Sequence, residues 1–454
     1  MIRHTERLVS LVPSYQHVRI DAVHYCELEI ELSAKRNRRS FRDRGGQSVD
    51  APQMRLLLFM RTVRESQQWG NVVLSLRMPY MTREASKTEL ARTISVLPHL
   101  RYVDLPAGFY SDDMSSYALK QELMAKCPDI RRMIYAHGSE GSVSRIPGSG
   151  LWVNLEVLEL SDLHIEESTL RLVLASFPAL RSLKLENLPS IGDSVFAPIQ
   201  SLPLFPPIQQ MTLRNVPNIT ASGLATFISI ERNRGALNHL ILSQTGILPQ
   251  SLHIILSKAS RLQHISIEAN VDRSFPVTDI PLLASTSVRS LHYEITSASS
   301  SYGVQPVSKS YYAYLMSSLL SHSLPALQDL YVLDGTFADA LLLAPPPRLN
   351  GGGVNGPGPS SAGLRQPLAL YTKGMDELEW NYTQFEPTPS GRRASATRPI
   401  SFHAAQLSPR WGGDARQSVV VGNGFGGFLA VPVDEGRPKS SGGYKRDSKY
   451  DLWR

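Results

Sequence analysis

The sequence has few cysteines, no long apolar run and no recognisable leader. Its two cysteines, Cys26 and Cys127, lie far apart, which argues against a disulfide framework and favours a reducing compartment. No run of about 18 apolar residues is present, so we expect no membrane-spanning helix. The first residues, MIRHTERLVSLVPSYQ, lack the apolar core of a signal peptide. We therefore expect a protein of the cytoplasm, the nucleus or both, without a membrane partner.

Strong charge of one sign is also missing from most of the chain. The net charge is +7 over 454 residues, but residues 345–454 hold 14 Lys and Arg against 9 Asp and Glu. The 344 residues before them therefore carry only +2. Because nucleic acid binding requires a basic patch or stripe on the folded surface, this balance disfavours nucleic acid as the ligand.

The motifs of common enzymes are absent. The sequence contains no H-E-x-x-H, no G-x-S-x-G, no Walker A loop and no paired C-x-x-C. The glycines from Gly422 to Gly427 resemble a dinucleotide-binding loop, but no helical pattern follows them. His239, His264 and His292 recur once per predicted strand without the acidic or cysteine partners of a metal site. We expect no catalysis, no cofactor and no metal.

What the sequence does contain is an internal repeat. The stretch 155–188 carries the pattern L-x-x-L-x-L twice, and the second copy begins 25 residues after the first. Between the copies, apolar residues recur on one face of a predicted helix. A strand and a helix that alternate at this period are the signature of leucine-rich repeats, which bury their apolar faces by stacking. The leucines of the pattern are Leu155, Leu158, Leu160, Leu180, Leu183 and Leu185.

The same pattern continues in both directions from this stretch. A proline often precedes a block by two residues, as at Pro178 and Pro325, and proline ends a helix because it lacks the N–H that would continue it. Blocks from residue 100 onward are spaced by 25 to 39 residues. We predict up to eleven strand blocks, which begin at Tyr15, Asn71, Leu100, Ile130, Leu155, Leu180, Ile208, Leu237, Leu262, Val288 and Leu327.

These patterns predict an α/β leucine-rich-repeat solenoid, with one strand and one helix per repeat, a curved parallel sheet and a disordered C-terminal tail. The irregular solenoid is expected over 1–344, with a polar insertion at 33–50. The basic residues 35–44 of that insertion form either a localisation or anion-binding loop or a solvated loop. Residues 345–454 are expected to be a Gly/Pro-rich, mostly disordered tail. Two tail pieces, 368–385 and 417–433, are candidates for short ordered segments that either cap the solenoid or bind a partner.

Two segments that directly follow strand blocks carry a family resemblance. Residues 216–224 read VPNITASGL and residues 188–194 read LPSIGDS. They resemble the C-P-x-I-T-D-x-G-L segment of the cysteine-containing repeat subclass, which is typical of F-box/leucine-rich-repeat proteins, and the long repeats are similar to fungal members. Here valine or leucine stands in place of the cysteine. The resemblance covers about residues 71–340.

The resemblance implies a non-catalytic substrate receptor of an SCF-type, cullin-based ubiquitin ligase. It also implies a Skp1-type adaptor as partner, provided that an F-box lies upstream of this sequence. No F-box pattern is recognisable within the chain, since a strand-like block already begins at Tyr15. We therefore expect either a truncated product or a relative without an F-box. The alternative is a leucine-rich-repeat scaffold or regulator unrelated to ubiquitination, and an enzyme is the least favoured interpretation.

The strand phase also predicts the binding surface. Residues that alternate with the inward leucines point to the other side of the sheet, which lines the concave surface that solenoids use for partners. The predicted row is mixed in charge, with aromatic and histidine residues toward its C-terminal end, and this favours a protein or peptide over a polyphosphate backbone. Its members are Tyr102, Asp104, Arg132, Glu159, Lys184, Glu186, Gln210, Thr212, Arg214, His239, His264, Glu268, His292, Glu294, Asp329 and Tyr331.

The tail contains one further candidate site. Residues 392–395 read RRAS and resemble the target of a basophilic kinase, which makes Ser395 a possible phosphosite. A phosphate would add a charge of about −1.5 to −2 to a basic segment.

Overall fold

The structure is a computed structural model that describes most of the repeat region and small parts of the rest. The described residues are 17–19, 51–77, 86–105, 111–277, 279–297, 307–343, 364, 366–374, 377–386, 396–397, 418–422 and 428–432. The polar insertion 33–50, Cys26 and Ser395 lie outside the described residues. The chain divides into two units, Met1–Arg398 and Pro399–Arg454.

The first unit is built on one sheet of fourteen strands that follow one another in chain order. Strands β1 to β12 pair in parallel, whereas β12–β13 and β13–β14 are antiparallel. The strands are β1 His17–Arg19, β2 Ser75–Arg77, β3 Tyr102–Asp104, β4 Arg132–Tyr135, β5 Val157–Ser161, β6 Ser182–Glu186, β7 Gln210–Arg214, β8 His239–Ser243, β9 His264–Val271, β10 Ser290–Ser297, β11 Asp329–Val332, β12 Leu368–Thr372, β13 Asn381–Phe385 and β14 Ala396–Thr397.

Helical segments connect most of the parallel strands, as the repeat pattern predicts. Several end shortly before the prolines that precede a strand: the helix Glu167–Ala175 ends before Pro178 and the helix Ser308–Leu320 ends before Pro325. The α-helices are Ala51–Glu65, Gln67–Val72, Ser86–Ile94, Met114–Lys126, Glu140–Ser144, Glu167–Ala175, Ala221–Ser229, Glu231–Ala236, Leu252–Leu256, Ser308–Leu320 and Phe337–Leu343, and 3₁₀ turns lie at Asp193–Phe196 and Pro249–Ser251. The α/β leucine-rich-repeat fold is therefore confirmed.

The core lies on one side of the sheet, between the strands and the helices. In each of β5 to β7 the two inward positions are at most 1% exposed, and Leu158 and Leu160 of β5 are fully buried. The alternation follows from the strand period of two residues. One boundary differs from the prediction: the block expected from Asn71 is helical as far as Val72, and β2 begins at Ser75.

The connection between β6 and β7 has a 3₁₀ turn where neighbouring repeats have an α-helix. A buried arginine, Arg171, holds this connection: its guanidinium donates to the carbonyl oxygens of Ala197 at 2.8 Å and Pro203 at 2.7 Å. Phe196 and Phe205, which belong to the same connection, pack against each other with ring centroids 5.0 Å apart. In all, the guanidinium donates four hydrogen bonds to three carbonyl oxygens. Because such bonds satisfy a buried cation, Arg171 serves here as a structural residue.

The sheet continues past β11 into the segment that the sequence marks as a candidate ordered piece. Leu330 and Leu370 are register partners across β11 and β12, and both are fully buried. The buried amide of Gln366 donates to the carbonyl oxygens of Leu324 at 2.7 Å and Leu327 at 3.1 Å. The division of the chain at residue 344 itself stays a prediction.

The second unit is described only in an antiparallel hairpin, β15 Ser418–Gly422 and β16 Phe428–Pro432. Both strands lie within the candidate segment 417–433. Within the described part of the chain, none of the helices has the length and apolar character that crossing a bilayer requires.

Candidate protein-binding surface

All sixteen predicted surface residues lie on strands and alternate with buried core residues. We call the side of the sheet that they occupy the open face. Each of them is half-buried or exposed, as the strand phase requires, and their role in binding stays a prediction. They are Tyr102 and Asp104 on β3, Arg132 on β4, Glu159 on β5, Lys184 and Glu186 on β6, Gln210, Thr212 and Arg214 on β7, His239 on β8, His264 and Glu268 on β9, His292 and Glu294 on β10, and Asp329 and Tyr331 on β11.

The parallel register arranges these side chains in rows that cross the strands. Because each strand pairs with the next without a shift between equivalent positions, one residue per strand falls in each row. The middle row runs through Glu159, Lys184, Thr212, Ile241, Ser266, His292, Tyr331, Tyr371 and Tyr382. The row beside it runs through Ser161, Glu186, Arg214, Ser243, Glu268 and Glu294.

The N-terminal half of the open face is a network of ion pairs. Arg132 donates two hydrogen bonds to one carboxylate oxygen of Glu159, at 2.9 and 2.6 Å. Lys184 lies 4.0 Å from Glu159 and 2.5 Å from Glu186. Further toward the N-terminus, Arg77 of β2 pairs with Asp104 of β3 at 3.2 Å. The charged residues that were predicted here therefore neutralise one another.

The C-terminal half of the open face carries an aromatic row. The rings of His292 and Tyr331 stack at a centroid distance of 3.9 Å, and those of Tyr331 and Tyr371 stack at 4.3 Å. Tyr382 lies 5.2 Å from Tyr371, and Trp380 meets Tyr331 edge-on at 5.5 Å. We use "aromatic row" for these five residues. Such contacts stabilise each other and fix the ring orientations.

Two histidines form a second stack beside the aromatic row. His239 and His264 are register partners, and their rings lie 4.3 Å apart. Burial lowers the pKa of His239, and the charge of His264 lowers it further. Its Nδ1 atom is buried and has no hydrogen-bond partner in the described part of the chain. The lowered pKa favours the neutral ring of His239 at neutral pH.

The open face shows no centre for metal chemistry. Among the described residues, no three His, Cys, Asp or Glu side chains converge as they would around a metal ion. His239, His264 and His292 lie on three successive strands, where the first two stack on each other and the third stacks on Tyr331. Their half-buried positions on the open face fit contact with a partner.

A ladder of polar residues lies directly after the strands β5 to β8. It was not predicted from the sequence. The amide of Asn187 donates to Asp162 at 2.6 Å, and the amide of Asn215 donates to Asn187 at 2.8 Å. Asp162, Asn187, Asn215 and Gln244 all have positive φ, between 48° and 56°, a conformation that short polar residues tolerate better than most. The signal is an Asp, Asn or Gln two residues after the last inward leucine of four consecutive blocks.

A shallow cavity of about 560 Å³ lies over this ladder. Asp162, Asn187 and Asn215 line it together with His137, His164, Pro189 and Pro217. Because the ladder amides already bond to one another, they position the turns that follow the strands and leave few free donors for a ligand.

Three members of the aromatic row were not among the predicted surface residues. Tyr371, Trp380 and Tyr382 belong to the candidate ordered piece 368–385 but were not assigned to the binding surface. The available signal was the alternation in Leu368-Ala-Leu-Tyr-Thr372, which places Tyr371 in the outward phase of a further strand. What the sequence does not reveal is that β12 pairs with β11 and so continues the row.

Comparisons with known proteins give limited similarity. No protein-family model matches the chain, and no curated protein matches it. The solved structures that match include the crystal structure of the Rad7 and Elc1 complex in yeast, with 14% sequence identity and a TM-score of 0.40. The match covers 61% of this chain and 67% of that chain. Similarity at this level does not assign a family or a function.

Proposed function

We propose that the chain is a non-catalytic recognition scaffold whose open face binds a protein or a peptide. The observation that carries the proposal is the aromatic row, in which five ring side chains lie side by side on the polar side of a sheet. Trp380 is 36% exposed and Tyr382 is 39% exposed. Aromatic residues are enriched where proteins bind one another, because they bury a large area at a low cost in conformational entropy.

The more specific proposal is a substrate receptor of an SCF-type ubiquitin ligase. It rests on the resemblance of residues 188–194 and 216–224 to the segments of F-box/leucine-rich-repeat proteins. In the structure, these segments join neighbouring repeats: the carboxylate of Asp193 accepts hydrogen bonds from the backbone N–H of Thr220 at 2.7 Å and from the Ser222 hydroxyl at 3.0 Å. The side chains that carry the resemblance thus stabilise the stack.

The alternative is a scaffold or regulator that is not part of a ubiquitin ligase. Asp193, Thr220 and Ser222 bond to one another, so their presence is explained by repeat stacking without an adaptor. Both versions require the same open face, and they differ only in whether a Skp1-type adaptor binds to the protein.

Two measurements test these proposals. The first compares the proteins captured from the source cells by the full chain, by His292→Ala on the open face and by Arg232→Ala on an exposed helix. Partners that are lost with His292→Ala and kept with Arg232→Ala support an open-face scaffold, whereas identical capture by all three overturns it. The second measures binding of a purified Skp1-type adaptor to the full-length protein by calorimetry. If no complex forms, the ligase proposal fails and the scaffold proposal remains.

A further inference from the structure

The two halves of the open face differ in how their carboxylates are neutralised. In the N-terminal half, Asp104 pairs with Arg77, and Glu159 and Glu186 both pair with Lys184. In the C-terminal half, Glu268, Glu294 and Asp329 have no lysine or arginine partner among the described residues. Glu268 accepts a hydrogen bond from the Ser243 hydroxyl at 2.7 Å, and the carboxylate of Glu294 lies 3.8 Å from Nδ1 of His292.

Two of these carboxylates lie side by side next to the aromatic row, and the third lies on the opposite side of that row. Glu268 and Glu294 are register partners on β9 and β10, and Asp329 lies on β11, two residues before Tyr331. Like charges on neighbouring strands repel each other and destabilise the pairing. A cation bound between Glu268 and Glu294 would remove that repulsion. This surface therefore favours a positively charged ligand.

The aromatic row is itself suited to cations. The chain places one of its own cations there: the Lys373 ammonium lies 5.8 Å from the centroid of the Trp380 ring, within the range of a cation–π interaction. One face of the His292 ring stacks on Tyr331. The register neighbour on its other side is Ser266, whose side chain is too small to cover an imidazole ring.

Charge also decides between classes of ligand. A nucleic acid would stack its bases on aromatic side chains, but its phosphates would lie against Glu268, Glu294 and Asp329, where the described residues form no basic stripe to neutralise them. A guanidinium ion satisfies both features, because it is planar, stacks on aromatic rings and donates to carboxylates. An ammonium ion satisfies the charge but stacks less well.

We propose that the C-terminal half of the open face binds an arginine-containing, extended peptide segment of a partner protein, with guanidinium groups placed on the aromatic row and paired with Glu268, Glu294 and Asp329. This inference rests on the proposed function and names the class of ligand. The strands β9 to β12 span roughly 14 Å at the usual strand spacing of about 4.8 Å. An extended segment of about four or five residues covers that length.

The test measures binding of labelled heptapeptides to the full-length protein by fluorescence anisotropy at low salt. One peptide alternates glycine with arginine, and a matched one alternates glycine with glutamate. The key variant is the double substitution Glu268→Gln and Glu294→Gln. Its control is Glu186→Gln, which makes the same change on the same face at a carboxylate that Lys184 already neutralises. Circular dichroism melts establish that each variant is folded, and Asp329→Asn replaces the double variant if that variant is not.

We expect the arginine peptide to bind and the glutamate peptide not to bind. The double variant should weaken binding of the arginine peptide by about tenfold, and His292→Ala by about threefold or more, because each removes a contact typical of exposed ion pairs or cation–π interactions. Glu186→Gln should bind as the unmodified protein does.

Three results would overturn the proposal. They are equal weakening by Glu186→Gln and the double variant, no binding of the arginine peptide, and preferential binding of a single-stranded oligodeoxythymidine that needs His292 but not the carboxylates. The capture experiment separates this failure from failure of the scaffold function. Partners that require the open face but tolerate the double variant refute the arginine-peptide ligand and leave the scaffold intact.

Discussion

Leu183→Ala should destabilise the protein far more than Lys184→Ala, although the two residues are neighbours. Leu183 is 1% exposed, and its register neighbours Leu158 and Met211 are also buried. Truncation to alanine removes three carbon atoms, which costs about 2 kcal/mol in transfer free energy, and the cavity left behind brings the expected loss to about 2–5 kcal/mol. Lys184 points to the open face, where its ion pairs with Glu186 and Glu159 contribute at most about 1 kcal/mol.

Urea unfolding measures this difference. Unfolding is followed by both circular dichroism and tryptophan fluorescence, because a solenoid can lose repeats separately. A single free energy of unfolding applies only when the two transitions coincide. We expect a lower midpoint for Leu183→Ala with an unchanged dependence on urea. Equal free-energy losses for the two variants, or a larger loss for Lys184→Ala, would contradict the assignment of Leu183 to the core and Lys184 to the open face. The assignment of the open face would then fail with it.

Two further predictions concern the helix Met114–Lys126. Hydrogen bonds from Ser116 hold the pKa of its N-cap, Asp113, below the usual range. Asp113→Ala should therefore lower the free energy of unfolding by about 1 kcal/mol at neutral pH. This difference should shrink as the pH falls below the unfolded pKa of about 3.9, and a pH-independent difference would contradict it. Burial raises the pKa of Cys127 to about 12. In a Cys26→Ser variant, iodoacetamide at pH 8 should alkylate Cys127 only after unfolding, and rapid labelling of the folded protein would show that the thiol is accessible.

The regular part of the fold could be predicted because its physical signals are local. Each inward leucine of β5 and β6 follows from the pattern of one repeat, and the prolines before the strands end the preceding helices for a steric reason. The start of β2 was wrong by a few residues, because Asn71 and Val72 form the end of a short helix. The 3₁₀ connection after β6 could not be read from the pattern, since it depends on the contacts of Arg171 with Ala197 and Pro203.

Residues of the open face could be predicted only within the strand blocks that the repeat pattern identifies. The phase of the repeat places His292 and Tyr331 on it, since both lie within recognised blocks. Tyr371 lies 40 residues beyond Tyr331 in the chain, and it joins the row only because β12 pairs with β11. The ion pairs could not be predicted from the sequence either. No local pattern indicates that Glu186 has a lysine partner while Glu294 has none among the described residues, because both directly follow the third apolar position of a block, Leu185 or Tyr293.

The contrast between these two glutamates suggests how one sheet can combine stability with recognition. An ion pair across neighbouring strands, such as Arg132–Glu159, leaves little charge for a ligand, because each partner already satisfies the other. A carboxylate without such a partner costs the sheet some stability, most of all where Glu268 faces Glu294. That cost is tolerable beside the stacked rings of His292, Tyr331 and Tyr371, whose contacts stabilise the same strands. The aromatic row would then have two roles, to stabilise the sheet where charges repel and to offer a surface to the cation that relieves them.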